Sequence, residues 1–439
     1  KPRCFYDLVI EVAIVRPGPI QGGMIHPYLR RRQGLEPVTY PSQDLETALS
    51  RTLGVPIFQE QVMQLAMLAA GFTAGEADQL RRAMAAWKRK GGLEKFHDKL
   101  IGGMLERGYE REFAEALFSQ IEGFAEYGFP ESHAASFALL AYASAWLKCH
   151  HPAALLAALL NSQPMGFYTA SQLVQDTQRH GVQVRPVDVT VSDWEATLER
   201  IPGKPPAVRL GLNQVTGMAQ QAGWRIEEAR AVRAFASLQD LALRAQLDAG
   251  DLQALAASNA LAGLAGHRRE ALWHAVEAGT GKGLLKTADH DDAAIRLAAP
   301  SEAQEIVSDY RSLGLTLGRH PLALLRKQLL ARRFVPAASL ASYGQGAFAR
   351  ACGIVTVRQR PATAKGTMFV TLEDESGVVN VIIWPALVEQ QRRELLQASL
   401  LGVYGIWQTE NNVHHLIAKR LLDLSPLLGS LETSSRDFC

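Results

Sequence analysis

The densest run of chemically capable side chains is Leu80-Arg81-Arg82-Ala83-Met84-Ala85-Ala86-Trp87-Lys88-Arg89-Lys90, with no acidic residue between Gln79 and Leu93. On a helix a seven-residue step is about two turns, so Arg81, Ala85 and Lys88 share a face and Arg82 and Arg89 form an adjacent row. Two rows of guanidinium and ammonium groups suit a polyanion, either a triphosphate or a nucleic-acid backbone. The competing reading is a solvated basic helix face. A second constellation is Tyr127-Gly128-Phe129-Pro130-Glu131-Ser132-His133. Gly-Phe-Pro breaks a helix, and Ser132 reads as the N-cap of the next one, which runs through Trp146. His133 then sits in a first turn, where free N–H groups favour an anion; a structural histidine is the alternative. A third is Val15-Arg16-Pro17-Gly18-Pro19, a short turn that pins one arginine, for a site or simply at the surface.

Other chemistries are excluded by spacing. His150-His151 would diverge by ~100° on a helix, and His414-His415 would point to opposite faces of a strand, so neither pair builds a shared metal site. There is no Ser-His-Asp order, nucleophile elbow or Walker loop. Glu373-Asp374-Glu375 and Asp291-Asp292 read as solvated acids in a hairpin turn and a linker, and no carboxylate set for paired metal ions is present.

These groups must be positioned by a chain of 439 residues, of ordinary globular composition, with 46 Lys+Arg against 44 Asp+Glu. That length implies roughly two to four domains. A net charge of +2 gives no global sign of nucleic-acid binding. Four dispersed cysteines argue for a reducing, cytoplasmic setting. No apolar run reaches the ~18–20 residues of a membrane span, and no signal peptide opens the chain. The start at Lys1-Pro2-Arg3 rather than Met suggests a piece of something longer.

The first 160 residues read as helical: Val62, Leu65, Ala66 and Ala69 share one face, as do Phe113, Ala116, Leu117 and Ile121, while Phe137, Leu140, Ala141 and Trp146 mark a third helix. Pro17, Pro19 and Pro27 predict a turn-rich beginning. Short strands are expected over 182–210, with Lys204-Pro205-Pro206 as a loop, then short helices to 276, a linker from Ala278 to Pro300 and a helical bridge to about Phe334. The last hundred residues switch to period two, with strands at 353–357, 367–372, 378–384, 400–408 and 413–421 and a helix from Pro385 to Gln397. Strand, strand, strand, helix, strand, strand is the order of an OB-fold. Arg358, Arg360 and Lys365 flank its first loop, and Phe369 and Trp384 either offer stacking faces to single-stranded nucleic acid or pack in the barrel core.

Taken together, the motifs resemble bacterial C-family DNA polymerases of the DNA polymerase III alpha-subunit type. Arg16-Pro17-Gly18-Pro19 with Gly23-Met24, Phe58-Gln59-Glu60-Gln61-Val62-Met63, Leu80-Arg81-Arg82-Ala83-Met84, and Tyr127-Gly128-Phe129 through Ser132-His133 follow the order and spacing of that family's fingers domain. Leu313-Gly314-Leu315 to His320-Pro321 resembles the segment before its OB domain. Pro130-Glu131, where replicative members usually carry Asn-Lys, resembles the error-prone, damage-inducible branch, as do the opening Lys1 to Asp7 and the ending Ser435-Arg436-Asp437-Phe438.

The resemblance implies a mainly α multidomain chain followed by a C-terminal OB barrel: fingers over 1–180, the end of the fingers and a helix-hairpin-helix region over 181–276, a linker and bridge over 277–346, the OB domain over 347–424 and a tail over 425–439. It implies the C-terminal part of an error-prone DNA-directed DNA polymerase of damage-induced mutagenesis and translesion synthesis. Arg81 and Arg82 would bind the incoming dNTP, with Lys88 and Lys90 adding to the field and Arg16, Gln61 and His133 lining the wall. The family's Mg2+-holding carboxylates lie in a palm domain that this chain lacks, so alone it should be inactive. Primer-template DNA would meet hairpin backbone at Gly263 and Gly266, flanked by Arg268 and Arg269, besides Arg358, Arg360, Lys365, Phe369 and Trp384 on the barrel. The first hairpin candidate, Val215-Thr216-Gly217-Met218-Ala219, has lost a glycine. Mutagenesis-cassette proteins, and through them the sliding clamp, are the implied partners; no membrane is. The rival reading is a non-catalytic DNA-binding or assembly module.

Overall fold

The structure, a computed structural model, describes residues 2–15, 25–40, 42–90, 94–125, 130–165, 168–280, 297–361, 364, 366–410, 413–431 and 435–438. Two units are separable, Lys1–His150 and His151–Cys439.

The first unit is helical: α1 (Phe5–Ile14), α2 (Ile25–Arg32), α3 (Gln43–Leu49), α4 (Gln59–Ala70), α5 (Ala74–Lys90), α6 (Glu94–Glu106), α7 (Arg111–Ala125) and α8 (Glu131–His150). The expected stripe Val62, Leu65, Ala66 and Ala69 is buried along α4, at the centre of the core. Gly71 takes a left-handed φ of 70° and ends that helix. Where α6 crosses, a Cβ on Gly103 would stand 2.1 Å from the Ala70 carbonyl oxygen, so only glycine permits the approach. On α7 the buried set is Ala114, Leu117, Phe118 and Ile121. Ala116, expected inside, is exposed, because the stripe lies about one residue from where Phe113 would centre it. Of the prolines expected to make a turn-rich beginning, Pro17 and Pro19 lie outside the described residues, and Pro27 falls inside the first turn of α2. Helix α8 forms as expected but starts at Glu131 with Pro130 before it, so Ser132 is inside the helix rather than its cap. It contacts α1 and buries Ala134 and Ala138, while Phe137, Leu140 and Trp146 are exposed. Small side chains permit the close contact, and the large ones fall on the other faces.

The second unit begins with α9 (Pro152–Asn161) and α10 (Ala170–Arg179), followed by a small sheet of β1 (Val184–Arg185), β2 (Thr197–Ile201) and β3 (Lys204–Arg209). Strand β3 is central, parallel to β1 and antiparallel to β2. Lys204-Pro205-Pro206, expected as a loop, opens β3. Its prolines fall where the register slips between Glu199 and Ile201, so their missing N–H groups cost the ladder little. Then come α11 (Gln220–Val232), α12 (Leu238–Arg244), α13 (Ala249–Ala257), α14 (Ala262–Ala265), α15 (Arg268–Thr280), α16 (Glu302–Leu313), α17 (Pro321–Ala331) and α18 (Ala337–Leu340). No helix among the described residues is long and apolar enough to cross a membrane.

The C-terminal barrel is built from β4 (Phe348–Gln359), β5 (Met368–Asp374), β6 (Gly377–Ile383), α19 (Pro385–Gln390), α20 (Arg392–Gln397), β7 (Leu400–Glu410) and β8 (Val413–Asp423). The strand order β5-β6-β8-β7-β4 closes through a β4–β5 pairing, and β6 runs parallel to β8. This is the five-stranded OB arrangement, the expected fold class. A short strand β9 (Arg436–Phe438) adds in parallel to β4. Alternate residues fill the interior, among them Val370, Leu372, Val381, Ile383, Leu401, Val403 and Leu416.

Glu373-Asp374-Glu375 is not solvated. Glu373 and Asp374 are buried, and Arg326 on α17 bonds Asp374 at 3.0 Å and Glu375 at 2.5 Å. Asp374 also accepts the Ala337 N–H at 2.8 Å. The acid turn is thus the tie between the helical bridge and the barrel. Burial alone would push the Glu375 carboxyl up, but the Arg326 guanidinium more than offsets this and holds it below its ordinary 4.5. A depressed folded-state value means the tie is complete above 4.5 and is lost as pH falls through the folded value. Arg326→Met is expected to lower stability at neutral pH and to flatten the acid-side fall in stability between about pH 5 and 3, read by urea unfolding at a series of pH values.

Candidate nucleotide and nucleic-acid interface

In the first unit, burial orients the basic helix. Ala77, Leu80 and Met84 of α5 are buried in the core, at helical spacing. Arg81 and Arg82 therefore emerge beside the buried ridge, and the Arg82 side chain is 74% exposed. An acid one turn upstream, which the run's own charge pattern did not include, sits between them. Asp78 bonds Arg81 at 2.8 Å and Arg82 at 2.8 Å. The Arg81 hydrogen bond, with both positive charges, holds its carboxyl below the usual range. The i−3 and i−4 spacing was the available signal. Asp78 pre-orients the two guanidiniums as a fork and leaves donors on both for an anion. Lys88 and Lys90 lie on the last turns of α5, and their side chains are outside the described residues, as is Arg16 altogether.

The start of α8 is fixed by convergence. Glu60 on α4 accepts the Glu131 N–H at 2.9 Å. The Tyr6 hydroxyl donates to the Glu131 carboxylate at 2.7 Å, and Arg51 reaches the same oxygen at 3.2 Å while its guanidinium stacks 3.6 Å above the Tyr6 ring. Burial and the Glu131 bond both push the Tyr6 phenol up. These contacts set the first turn of α8, where His133 is exposed, its ring edge-on to Phe137 with 4.8 Å between centres.

Gln61 does not line a wall. It is buried; its Oε1 accepts the Ile57 N–H at 2.9 Å and the Phe58 N–H at 3.2 Å, and its Nε2 donates to Thr52 at 2.8 Å and Ala48 at 3.2 Å. Each of these bonds joins α4 to the segment before it. Gln61 is a helix-start clamp, with no polar atom left for a ligand.

Around the second hairpin, Gly266 adopts a φ of 72°, which glycine alone takes without strain. Its neighbours are acidic: a Cβ there would lie 2.5 Å from a Glu270 oxygen, and one at Gly263 would lie 3.7 Å from the Asp188 carboxylate. Arg268 cannot face DNA. It is buried, pairs with Glu305 and bonds Asp309 at 2.5 Å, tying α15 to α16. Arg269 is at the surface, donating to the Ala298 carbonyl at 2.9 Å and to Gln304 at 3.0 Å.

On the barrel, Phe369 and Trp384 are both outward. Phe369 stands on the outer side of β5 opposite Ile382 of β6, and Trp384, 51% exposed, follows β6. Exposed Arg360 approaches the turn at Gly366, so these three share the β5–β6 side. Lys365 lies outside the described residues. Arg358 does not face a ligand as expected: buried, it donates to the Leu395 carbonyl at 2.8 Å, the Ala398 carbonyl at 2.6 Å and the Ser435 hydroxyl, locking α20 and the tail to β4. Arg268→Ala is expected to cost about 3 kcal/mol, because it strands two carboxylates against a buried gap. Arg269→Ala should change stability by less than about 0.5 kcal/mol; parallel urea unfolding of the two variants checks the contrast.

Comparison with known proteins adds to this geometry. Residues 1–108 match the bacterial DNA polymerase III alpha subunit finger domain, residues 181–271 a helix-hairpin-helix motif and residues 349–424 an OB-fold nucleic acid binding domain. Proteins called error-prone DNA polymerase align over 100% of this chain: 63% identical in Bordetella bronchiseptica, covering 42% of that protein, 61% in Burkholderia pseudomallei, covering 42%, and 59% in Alkalilimnicola ehrlichii, covering 43%. With finger, hairpin and barrel matches in that order, the chain is similar along its whole length to proteins called error-prone DNA polymerase and spans about 42% of the length of these relatives.

Proposed function

We propose that this chain is the nucleotide- and DNA-gripping portion of an error-prone DNA-directed DNA polymerase that acts in damage-induced mutagenesis and translesion synthesis. The observation that carries the reading is identity near 60% along the entire chain to relatives of that name. The α5 fork supports it: Arg81 and Arg82, held by Asp78, grip the triphosphate of an incoming dNTP, and the negative charge of the phosphates replaces part of the Asp78 pairing. Lys88, Lys90 and Arg16 add positive charge around the same ligand, and His133 stands at the helix start that the Glu131 cluster fixes. Residues 1–180 act as fingers. The region 181–276 meets primer-template DNA through the hairpin at Gly263 and Gly266, with Arg269 beside it. Residues 347–424 hold a strand on Arg360, Lys365, Phe369 and Trp384, an aromatic and basic surface suited to unpaired bases.

When bound, Mg2+ neutralises the triphosphate and activates the attacking oxygen in such polymerases. Among the described residues no group of three or more His, Cys, Asp or Glu could hold a metal ion. Mutagenesis-cassette proteins and the sliding clamp as partners, and the cytoplasm as location, belong to the same reading.

The experiment is kinetic. In the full-length polymerase, Arg81→Ala with Arg82→Ala removes two charge-assisted contacts, each worth about 1.5–3 kcal/mol. kcat/KM for dNTP incorporation is expected to fall about 100-fold or more, chiefly through KM, with primer-template affinity kept. Unchanged single-nucleotide incorporation by that variant would overturn the assignment.

A further inference from the structure

The barrel carries a second cationic and aromatic row, away from Phe369 and Trp384. Arg350 on β4 is the register partner of Tyr404 on β7, and Tyr404 is the partner of Arg420 on β8. The three side chains cross the outer surface as one ladder. The Arg350 guanidinium carbon lies 5.1 Å from the Tyr404 ring centre, and that of Arg420 lies 5.8 Å from it on the other strand. Phe348, 53% exposed, extends the row, with Arg350 at 5.6 Å from its ring. Both cations fall within the range of cation–π attraction.

Three features separate this row from ordinary surface charge. First, most arginines of the second unit that structure its core are paired, Arg209 with Glu199, Arg230 with Asp193 and Arg326 with Asp374 and Glu375. Among the described residues neither Arg350 nor Arg420 makes an ion pair or a side-chain hydrogen bond. Second, Tyr404 is held from beneath by the fully buried Phe334, with 5.4 Å between ring centres, so the platform is fixed before any ligand arrives. Third, the Val335 N–H donates to the Arg350 carbonyl at 3.2 Å, which brings the turn carrying exposed Arg332 and Arg333 alongside.

We propose that Arg350, Tyr404 and Arg420, with Phe348 at the end of the row, form a second binding site for single-stranded nucleic acid on the barrel. The row is centred on β7, which pairs with β4 and β8 and with neither β5 nor β6. It is therefore distinct from the Phe369–Trp384 side. A base stacks on the aromatic rings while flanking phosphates take the two guanidiniums, a pairing of π-face and polyanion that an acidic peptide supplies only in part. The inference rests on the nucleic-acid reading of the barrel and extends it to a second track.

The test is fluorescence anisotropy of the whole chain with labelled oligo-dT of about 20 nucleotides, longer than one OB-fold site, over a series of salt concentrations. The double variant R350Q/R420Q is expected to weaken binding about tenfold and to reduce the log–log salt slope by about 1.4, two single-strand phosphate contacts, with the thermal midpoint unchanged. The charge-matched control R179Q/R200Q, on exposed arginines of the same unit, should leave the affinity within about twofold. R360Q with W384A should weaken binding on its own and add to the loss from R350Q/R420Q. An equal loss in the R179Q/R200Q control, or poly-glutamate binding that R350Q/R420Q abolishes while oligo-dT binding persists, would overturn the site. Absence of oligo-dT binding by the unaltered chain would overturn both this site and the nucleic-acid reading of the barrel; binding that only R350Q/R420Q leaves untouched would overturn the site alone.

Discussion

The burial of one helical ridge governs the basic face of the first unit. Because Ala77, Leu80 and Met84 are committed to the core, α5 has no rotational freedom, and the two arginines that follow Leu80 can only emerge beside the buried line. Everything chemically interesting in the first unit is aimed by similar means: small or apolar groups are spent on fixing a backbone, and polar groups next to them in sequence inherit a direction. Gly103 belongs to the same economy of space, since its hydrogen lets α6 close against the end of α4 and completes the packing under the ridge.

In the second unit buried ions add to three apolar clusters. Arg326, Arg268 and Arg358 each bind groups 37 to 77 residues away in sequence and each join separate elements: bridge to barrel, one helix to the next, tail to first strand. Such pairs contribute little net stability relative to apolar replacements, but losing one partner is costly, so they fix which elements meet more than how tightly they hold.

Period was legible in the sequence; partnership was not. The alternation over the last hundred residues predicts four of the barrel strands to within two residues of their ends, though β4 begins five residues before the expected 353, and the α4 stripe predicts its buried face residue by residue. The family resemblance misplaced Gln61 and Arg268, and the charge pattern along the barrel misplaced Arg358. A charged or amide side chain advertises its chemistry but not the carbonyl or carboxylate that consumes it, and those partners are set by tertiary packing. The large apolar residues of α8 show the reverse failure: hydrophobicity predicts a helix there, but the packing face is chosen by Ala134 and Ala138, whose size allows contact. Asp78 was readable from helical spacing alone, once the basic run was extended by one turn.

The short β9 strand has a consequence for the chain in solution. Where β4 leaves its pairing with β7 at Ile354, its backbone from Val357 to Gln359 would present unpaired donors and acceptors on that side; Arg436–Phe438 occupies them. An open strand edge is a template for pairing with another chain, and three residues of tail cover this stretch of β4. The tail thereby acts as a gatekeeper against strand addition between copies at this stretch, where what faces a neighbour is side chain rather than bare peptide group.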